Sequence, residues 1–213
     1  MDWRFDLTST NNNINGYEVE ALPVPRIDIN TQFDKRSQLG EQARVLYEFY
    51  ISKNEQKHLL EFIDLCLSQI PKQYDVVHDM LTYLTEMMIE SNQQKQAEMK
   101  RFIVWLEGEI GTLLDNLSGK SSLQNFLGDY QKSEAHLKPD QLLAILVKNK
   151  RCLEVDPSER AFRQAFERRY QQALDVLLPI KRKLELTDRL IDQVVYKLYG
   201  LTEDEIAVVE GRG

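Results

Sequence analysis

Residues 77–117, VHDMLTYLTEMMIESNQQKQAEMKRFIVWLEGEIGTLLDNL, carry the longest helical pattern of the chain. Apolar side chains recur three or four residues apart on either side of a polar centre, at Val77, Leu81, Leu84, Met88, Met99, Ile103, Leu106, Ile110, Leu113 and Leu117. This spacing predicts a helix with one apolar seam, which needs a partner helix to cover it. No proline interrupts the stretch, so it forms either one long helix or two helices that join near Ser91 and Asn92.

Helical patterns continue on both sides of this stretch. Residues 33–52 carry apolar side chains at helical spacing. Asn54 is a candidate N-cap for a second helix, which Pro71 is expected to end. The pattern before residue 77 therefore predicts two helices.

The part after residue 117 is also predicted to be helical. Residues 156–159, Asp-Pro-Ser-Glu, indicate the start of a helix that Pro179 is expected to kink or end. Thr187 is then predicted to cap another helix, which Gly200 stops. Residues 202–205, Thr-Glu-Asp-Glu, predict the capping box of a short last helix.

Residues 1–30 have a different pattern. Residues 17–22 alternate between polar and apolar side chains in the manner of a strand, and Pro23 and Pro25 end it. One or two strands do not form a stable sheet by themselves. We therefore predict a mainly α fold, a helical bundle with long antiparallel helices and a short β segment at the N-terminus. Residues 1–30 are expected to form an arm and residues 31–213 one helical domain.

Composition sets limits on partners and location. The 213 residues are 42% hydrophobic and 29% charged, which is typical of a globular protein, and the formal net charge is −7. A negative net charge argues against a protein that binds polyanions with its whole surface. Apolar runs are shorter than the roughly 18 residues that a membrane helix needs. The first six residues do not resemble a signal peptide, so we expect a cytoplasmic protein without a membrane partner.

Motifs for catalysis and for cofactors are not found in the sequence. The nine glycines form neither a dinucleotide-binding nor a phosphate-binding loop. The three histidines lack metal-ligand spacing, and Cys66 and Cys152 lie too far apart for a metal motif. We therefore predict no catalytic, cofactor-binding or metal-ligating residue in this chain. A small enzyme with a site built from dispersed acids remains as an alternative.

Basic residues are concentrated in residues 148–189, which contain eleven Lys or Arg and seven Asp or Glu. Arg160, Arg163, Arg168 and Arg169 fall on the predicted polar side of one helix. They are candidate contacts to the DNA backbone, because basic side chains bind phosphates without reading sequence. The acidic residues among them fit a solvated helix face without a partner equally well.

Three segments resemble parts of one protein family. Residues 15–25, NGYEVEALPVP, resemble the end of a target-recognition domain, where a strand with a Leu-Pro-Ile-Pro-like motif leads into a helical spacer. Residues 102–107, FIVWLE, resemble a Phe-x-x-Trp-Leu-Glu segment, and residues 187–206, TDRLIDQVVYKLYGLTEDEI, resemble the C-terminus. The family is the adenine-specific DNA methylases of restriction–modification systems, including the type IIG enzymes that fuse endonuclease and methylase.

The resemblance implies a non-catalytic helical region that supports or positions DNA target recognition, with residues 1–30 as the last strand of a recognition domain. It implies duplex DNA as a partner through the parent protein, together with methylase or endonuclease domains of the same polypeptide or of a partner subunit. S-adenosylmethionine is expected in the parent methylase domain, because this chain lacks the family's Gly-rich cofactor loop and its Asn-Pro-Pro-Tyr-type motif. The alternative is a helical protein–protein interaction module without a DNA role.

Overall fold

The computed structural model describes residues 27–212, and its regular structure is helical. The α-helices, numbered in chain order, are α1 Phe33–Lys53, α2 Lys57–Ser68, α3 Tyr74–Ile110, α4 Lys120–Gln124, α5 Pro139–Lys148, α6 Arg160–Tyr199 and α7 Glu203–Val209. The predicted mainly α bundle is confirmed, and residues 27–212 contain no strand. The β segment predicted at residues 17–22 lies outside the described residues. No helix in the described range is both long enough and apolar enough to cross a membrane.

Two long helices organise the fold, α3 with 37 residues and α6 with 40 residues. At about 1.5 Å per residue they are roughly 55 and 60 Å long. The C-terminal half of α3 packs with the N-terminal half of α6, and the opposite halves also pack together. The two helices therefore run antiparallel, as predicted. Because α3 is continuous through Ser91 and Asn92, the alternative of two shorter helices is wrong.

Two hydrophobic cores hold this helix pair together near its two ends. The first core joins the N-terminal half of α3 and the C-terminal half of α6 to α1 and α2, through side chains that include Tyr47, Ile63, Val77, Leu84 and Leu190. The second core joins the other two halves to α4 and α5, through side chains that include Phe102, Leu106, Leu123, Leu142 and Phe166. Between the cores, α3 buries the polar residues Ser91 and Glu98. The middle of the pair is therefore more polar than its ends.

Aromatic side chains form the centre of the second core. The ring centroid of Phe102 lies 4.9 Å from that of Phe126 and 5.7 Å from that of Tyr170. Phe166 approaches the same ring at 5.9 Å. Tilted and edge-on pairs at such distances are favourable beyond the apolar area that they bury. The Tyr170 hydroxyl also donates a hydrogen bond to the carbonyl of Leu137, which ties the segment before α5 to α6.

Two buried tyrosines hold α1 against α6 in the first core. Tyr47 Oη lies 2.8 Å from Thr187 Oγ1, and Tyr50 Oη donates a 3.1 Å hydrogen bond to the carbonyl of Leu186. Burial raises the pKa of Tyr47 to about 12, and the hydrogen bond with Thr187 offsets only part of this increase. Tyr47 is therefore a neutral hydrogen-bonding group at physiological pH.

Pro179 is predicted to kink or end a helix, and Thr187 to cap the next one. The end at Pro179 and the cap at Thr187 are wrong, because α6 continues through both residues. Pro179 lacks a backbone N–H, at an intrinsic cost of about 3 kcal/mol in a helix. Leu177 in the second core and Leu186 in the first core are buried on either side of it, so tertiary packing outweighs this cost. Thr187 lies inside the helix, and its hydroxyl donates to the carbonyl of Lys183 at 2.7 Å.

The apolar seam of α3 ends earlier than predicted. Gly111 adopts a φ of 72°, and its N–H donates a 3.0 Å hydrogen bond to the carbonyl of Glu107, which ends the helix. Leu113, predicted to continue the seam, is 59% exposed. Leu114, in a 3-10 turn, is buried instead. A glycine in the left-handed conformation thus overrides the helical spacing of the leucines that follow.

The structure confirms some of the predicted helix caps and contradicts others. Asn54 does not start α2; its φ of 57° ends α1. Gly200 ends α6 with a φ of 63°, as predicted. Thr202 and Glu205 form the predicted capping box of α7. Asparagine tolerates the left-handed conformation better than most residues, which explains why one residue type serves either end of a helix.

We expect Phe102→Ala to lower the free energy of unfolding by about 3–5 kcal/mol, because it leaves a cavity where the ring is only 1% exposed. Val104→Ala is the matched control, since Val104 lies on the same helix and is 56% exposed. The control should change the free energy by about 0.5 kcal/mol or less. Urea unfolding followed by circular dichroism measures both, and equal losses would contradict the assignment of Phe102 to the centre of the second core.

Candidate nucleic-acid interface

The four arginines predicted to contact DNA lie in the N-terminal half of α6. Arg160 and Arg168 are exposed. Arg163 is also exposed, and its Nη2 lies 3.3 Å from Oδ1 of Asp140 in α5. Such a surface ion pair is worth at most about 1 kcal/mol. Arg169 is partly buried, and its Nε has no hydrogen-bond partner among the described residues.

These arginines do not form the single polar stripe that was predicted. Successive residues of a helix are rotated by about 100° about its axis. Arg163 and Arg169 therefore lie on opposite edges of the buried stripe that contains Phe166 and Tyr170. Arg168 lies on the far side of the helix from that stripe. One flat surface therefore does not contain all four side chains, and their contact with DNA stays a prediction.

A buried carboxylate that the sequence did not single out lies in the first turn of α3. Asp75 is fully buried. Its Oδ2 accepts hydrogen bonds from the N–H groups of Asn30 and Thr31 at 3.1 and 2.8 Å. Its Oδ1 accepts from Thr31 Oγ1 at 2.8 Å and from the N–H of Val76 at 3.0 Å. The carboxylate thus fastens the backbone that precedes α1 to the N-terminus of α3.

A second link lies one turn further along α3. Arg36 of α1 donates two hydrogen bonds of 2.6 Å, from Nε and Nη2, to the two carboxylate oxygens of Asp79. This bidentate geometry is the strong form of an arginine–carboxylate pair. We call Thr31, Arg36, Asp75 and Asp79 the α1–α3 joint. It holds the start of α1 against the start of α3 by charge-assisted hydrogen bonds.

The ionisation of Asp75 is coupled to this arrangement. Burial by itself would raise the pKa of Asp75, but the hydrogen bonds from Thr31 and Val76, together with the charge of Arg36, hold the pKa below its usual value. The folded protein therefore favours the ionised form. Its contribution to stability is complete above the unfolded-state pKa of about 3.9 and is lost as the pH falls through the lower folded-state pKa.

Metal-ligating side chains and cysteines are two further kinds of functional group in the described residues. Within residues 27–212, no group of three or more His, Cys, Asp or Glu side chains is placed to hold a metal ion. Cys66 is buried, and burial raises the pKa of its thiol to about 11. It packs in the first core, and a thiol with this pKa is protonated and unreactive at neutral pH. Cys152 is an exposed free cysteine.

Comparison with known proteins does not identify a relative of this chain. No family model, curated protein or solved structure matches this chain. The resemblance to adenine-specific DNA methylases therefore depends on the three sequence segments. Of these segments, residues 102–107 lie in the half of α3 that packs in the second core. Residues 187–206 span the end of α6 and the start of α7.

The sequence contained only a partial signal for the α1–α3 joint. An acidic residue in the first turn of a helix is favourable for the helix dipole, so Asp75 fits its position for a local reason. Its partners Asn30 and Thr31 are 45 and 44 residues away, and nothing in their spacing indicates the contact. Only the packing of α1 against α3 brings the groups together.

We expect Asp75→Asn to lower the free energy of unfolding at pH 7 by about 2 kcal/mol, because a neutral amide accepts fewer and weaker hydrogen bonds than a carboxylate. Asp34→Asn is the matched control, since Asp34 is an exposed acid in the first turn of α1. It should cost about 0.5 kcal/mol or less. Denaturant unfolding measures both variants, and the Asp75 effect should shrink as the pH is lowered below about 4.

Hydrogen exchange gives a local measurement of the same change. The amide hydrogens of Asn30 and Thr31 donate to Asp75, so they should exchange faster in Asp75→Asn than in the wild type. Unchanged exchange at these two amides, together with unchanged stability, would contradict the assignment of Asp75 as the anchor of this segment.

Proposed function

We propose that this chain is a non-catalytic helical region of a DNA adenine methylase from a type II restriction–modification system, where it supports and positions DNA target recognition. The three segments that resemble this family support the proposal. In this proposal, methylase and endonuclease domains of the same polypeptide or of a partner subunit supply the chemistry. S-adenosylmethionine binds to those domains, and the whole protein acts in the cytoplasm.

The observation that carries the proposal is a long helix pair that is packed at both ends. A spacer must keep the parts attached to it at a fixed distance and angle. The first and second cores cover α3 and α6 near opposite ends of helices that are about 55 and 60 Å long. Bending the pair would displace close-packed side chains in the cores, which resist such changes. The pair is therefore suited to hold two elements apart.

A spacer also needs a firm attachment to the element that it positions. The backbone of Asn30 and Thr31 is fastened to Asp75, and Arg36 is fastened to Asp79. Residues 1–26 are covalently continuous with this anchored segment. In the proposal, the recognition element is joined to the helices through Asn30 and Thr31, which are hydrogen-bonded to the N-terminal turn of α3.

A groove between α1 and α3 favours a second candidate function, a helical protein–protein interaction module. It has a volume of about 530 Å³, and its lining includes Phe33, Gly40 and Tyr83. Phe33 is 83% exposed, and apart from the adjacent backbone of α1 nothing in the described chain lies within 4 Å of a Cβ placed on Gly40. An exposed aromatic side chain beside an open groove offers apolar area that a partner helix can bury.

Duplex DNA binding against salt concentration tests the DNA role. We expect the full chain to bind a random-sequence duplex with a Kd of about 10⁻⁴ to 10⁻⁶ M near physiological salt, and more weakly as salt rises. Arg160→Ala combined with Arg168→Ala should lower the affinity about tenfold, because both exposed side chains are free to neutralise phosphates. Lys53→Ala combined with Lys148→Ala removes the same charge from two exposed lysines on α1 and α5, and should have a smaller effect. Fluorescence anisotropy measures all three proteins.

Two outcomes would contradict the proposal in different ways. A wild-type chain that does not bind duplex DNA even at low salt would overturn the DNA role and favour the interaction module. Methyl transfer from S-adenosylmethionine to duplex DNA by the chain alone would overturn its non-catalytic assignment.

A further inference from the structure

An open cleft of about 720 Å³ lies beside the polar middle of the helix pair, between α3 and the loop at residues 128–134. Lysines from three separate segments line it, namely Lys95, Lys132 and Lys181. Neutral hydrogen-bonding side chains form much of the remaining wall: Asn92, Gln96, Asn125, Tyr130 and Gln131. Positive charges and neutral donors around one open space are suited to binding an anion.

The loop wall of this cleft is held in one conformation. Lys181 Nζ donates hydrogen bonds to the carbonyls of Leu127 and Glu134 at 2.7 and 2.5 Å, so both ends of the loop are fastened to α6. Gly128 adopts a φ of 72°, and a Cβ at this position would lie 2.6 Å from the carbonyl oxygen of Ala135. The loop therefore closes in a way that only glycine permits. A wall fixed in this manner loses little conformational freedom when a ligand binds.

The two acidic side chains that line the cleft accept hydrogen bonds from backbone N–H groups of the loop. Asp129 Oδ1 accepts a 3.0 Å hydrogen bond from the N–H of Gln131. Glu134 Oε2 accepts a 3.1 Å hydrogen bond from the N–H of Asp129. These contacts fix the carboxylates as parts of the loop structure.

Two of the lysines have only weak contacts at their ammonium groups. Lys95 Nζ lies 5.9 Å from the ring centroid of Tyr130, and Lys95 forms no ion pair among residues 27–212. Lys132 Nζ is 4.0 Å from Asp129 Oδ2, a long ion-pair distance, and its side chain is 72% exposed. With Lys181, the lining carries three positive side chains against the two carboxylates of Asp129 and Glu134. The lining itself therefore carries one more positive than negative side chain, in a chain whose net charge is −7.

We propose that this cleft binds a phosphate group of a nucleic-acid backbone, with Lys95 and Lys132 as direct contacts and Lys181 holding the loop that presents Lys132. The inference rests on the proposed function, which supplies duplex DNA as the polyanion. Lysine binds phosphate as a point charge, and phosphate contacts orient DNA without reading its sequence. Because the arginines of α6 do not share one face, the cleft offers a more compact site for such a contact.

The test is duplex DNA binding by the full chain carrying both Lys95→Ala and Lys132→Ala. Loss of two phosphate contacts should lower the affinity about tenfold and reduce the slope of log K against log salt by about 2. The control is the combination of Lys53→Ala and Lys148→Ala, which removes the same charge outside the cleft and should leave the slope unchanged. Circular dichroism checks that each variant retains its helices.

Titration with inorganic phosphate, followed through the amide NMR signals of residues 128–134, separates the possible sources of the anion. Shifts caused by duplex DNA, and lost in the double variant, support the proposal. Shifts caused by inorganic phosphate in a wild-type chain that does not bind DNA would overturn the nucleic-acid assignment, together with the proposed DNA role. DNA binding with an unchanged salt slope in the double variant would overturn the cleft and leave the proposed function standing.

Discussion

The antiparallel packing of α3 against α6 is the constraint on which the other features depend. Each of these helices contributes one half to the first core and its other half to the second core. The two cores therefore cannot move apart unless both helices break. The same arrangement explains why Pro179 and the buried Glu98 are tolerated near the middle of the pair. Close packing on either side keeps the backbone helical where local propensity is poor.

The helix pair has packed ends and a more polar middle, and a different functional feature lies at each. The α1–α3 joint lies at the first core, where it fixes the backbone that precedes α1. The lysine-lined cleft lies beside the middle, where α3 presents Lys95 and Gln96. In the proposed role, the joint determines where a recognition element is attached, and the cleft determines how the helices meet the DNA backbone. Both depend on a helix pair that does not bend.

Much of the fold could be predicted because local pattern and tertiary packing agree over long stretches. The seam of α3, the left-handed end at Gly200 and the capping box at Thr202 all have signals within a few residues. Prediction failed where distant contacts decide, as at Pro179, where packing in both cores overrides a strong local signal. The candidate site was harder to predict from the sequence for the same reason. The partners of Asp75 and the surroundings of Arg169 depend on elements far away in the sequence.

The helix α3 runs unbroken between the two cores and keeps them at a fixed separation. Double electron–electron resonance between spin labels tests it, with His78→Cys and Glu109→Cys at exposed positions and Cys152→Ser to remove the exposed native thiol. Thirty-one residues of continuous helix correspond to a backbone separation of about 46 Å. An unbroken α3 should give a single narrow distance distribution close to that value. A broad distribution, or one centred well below it, would show instead that α3 bends or breaks in its polar middle.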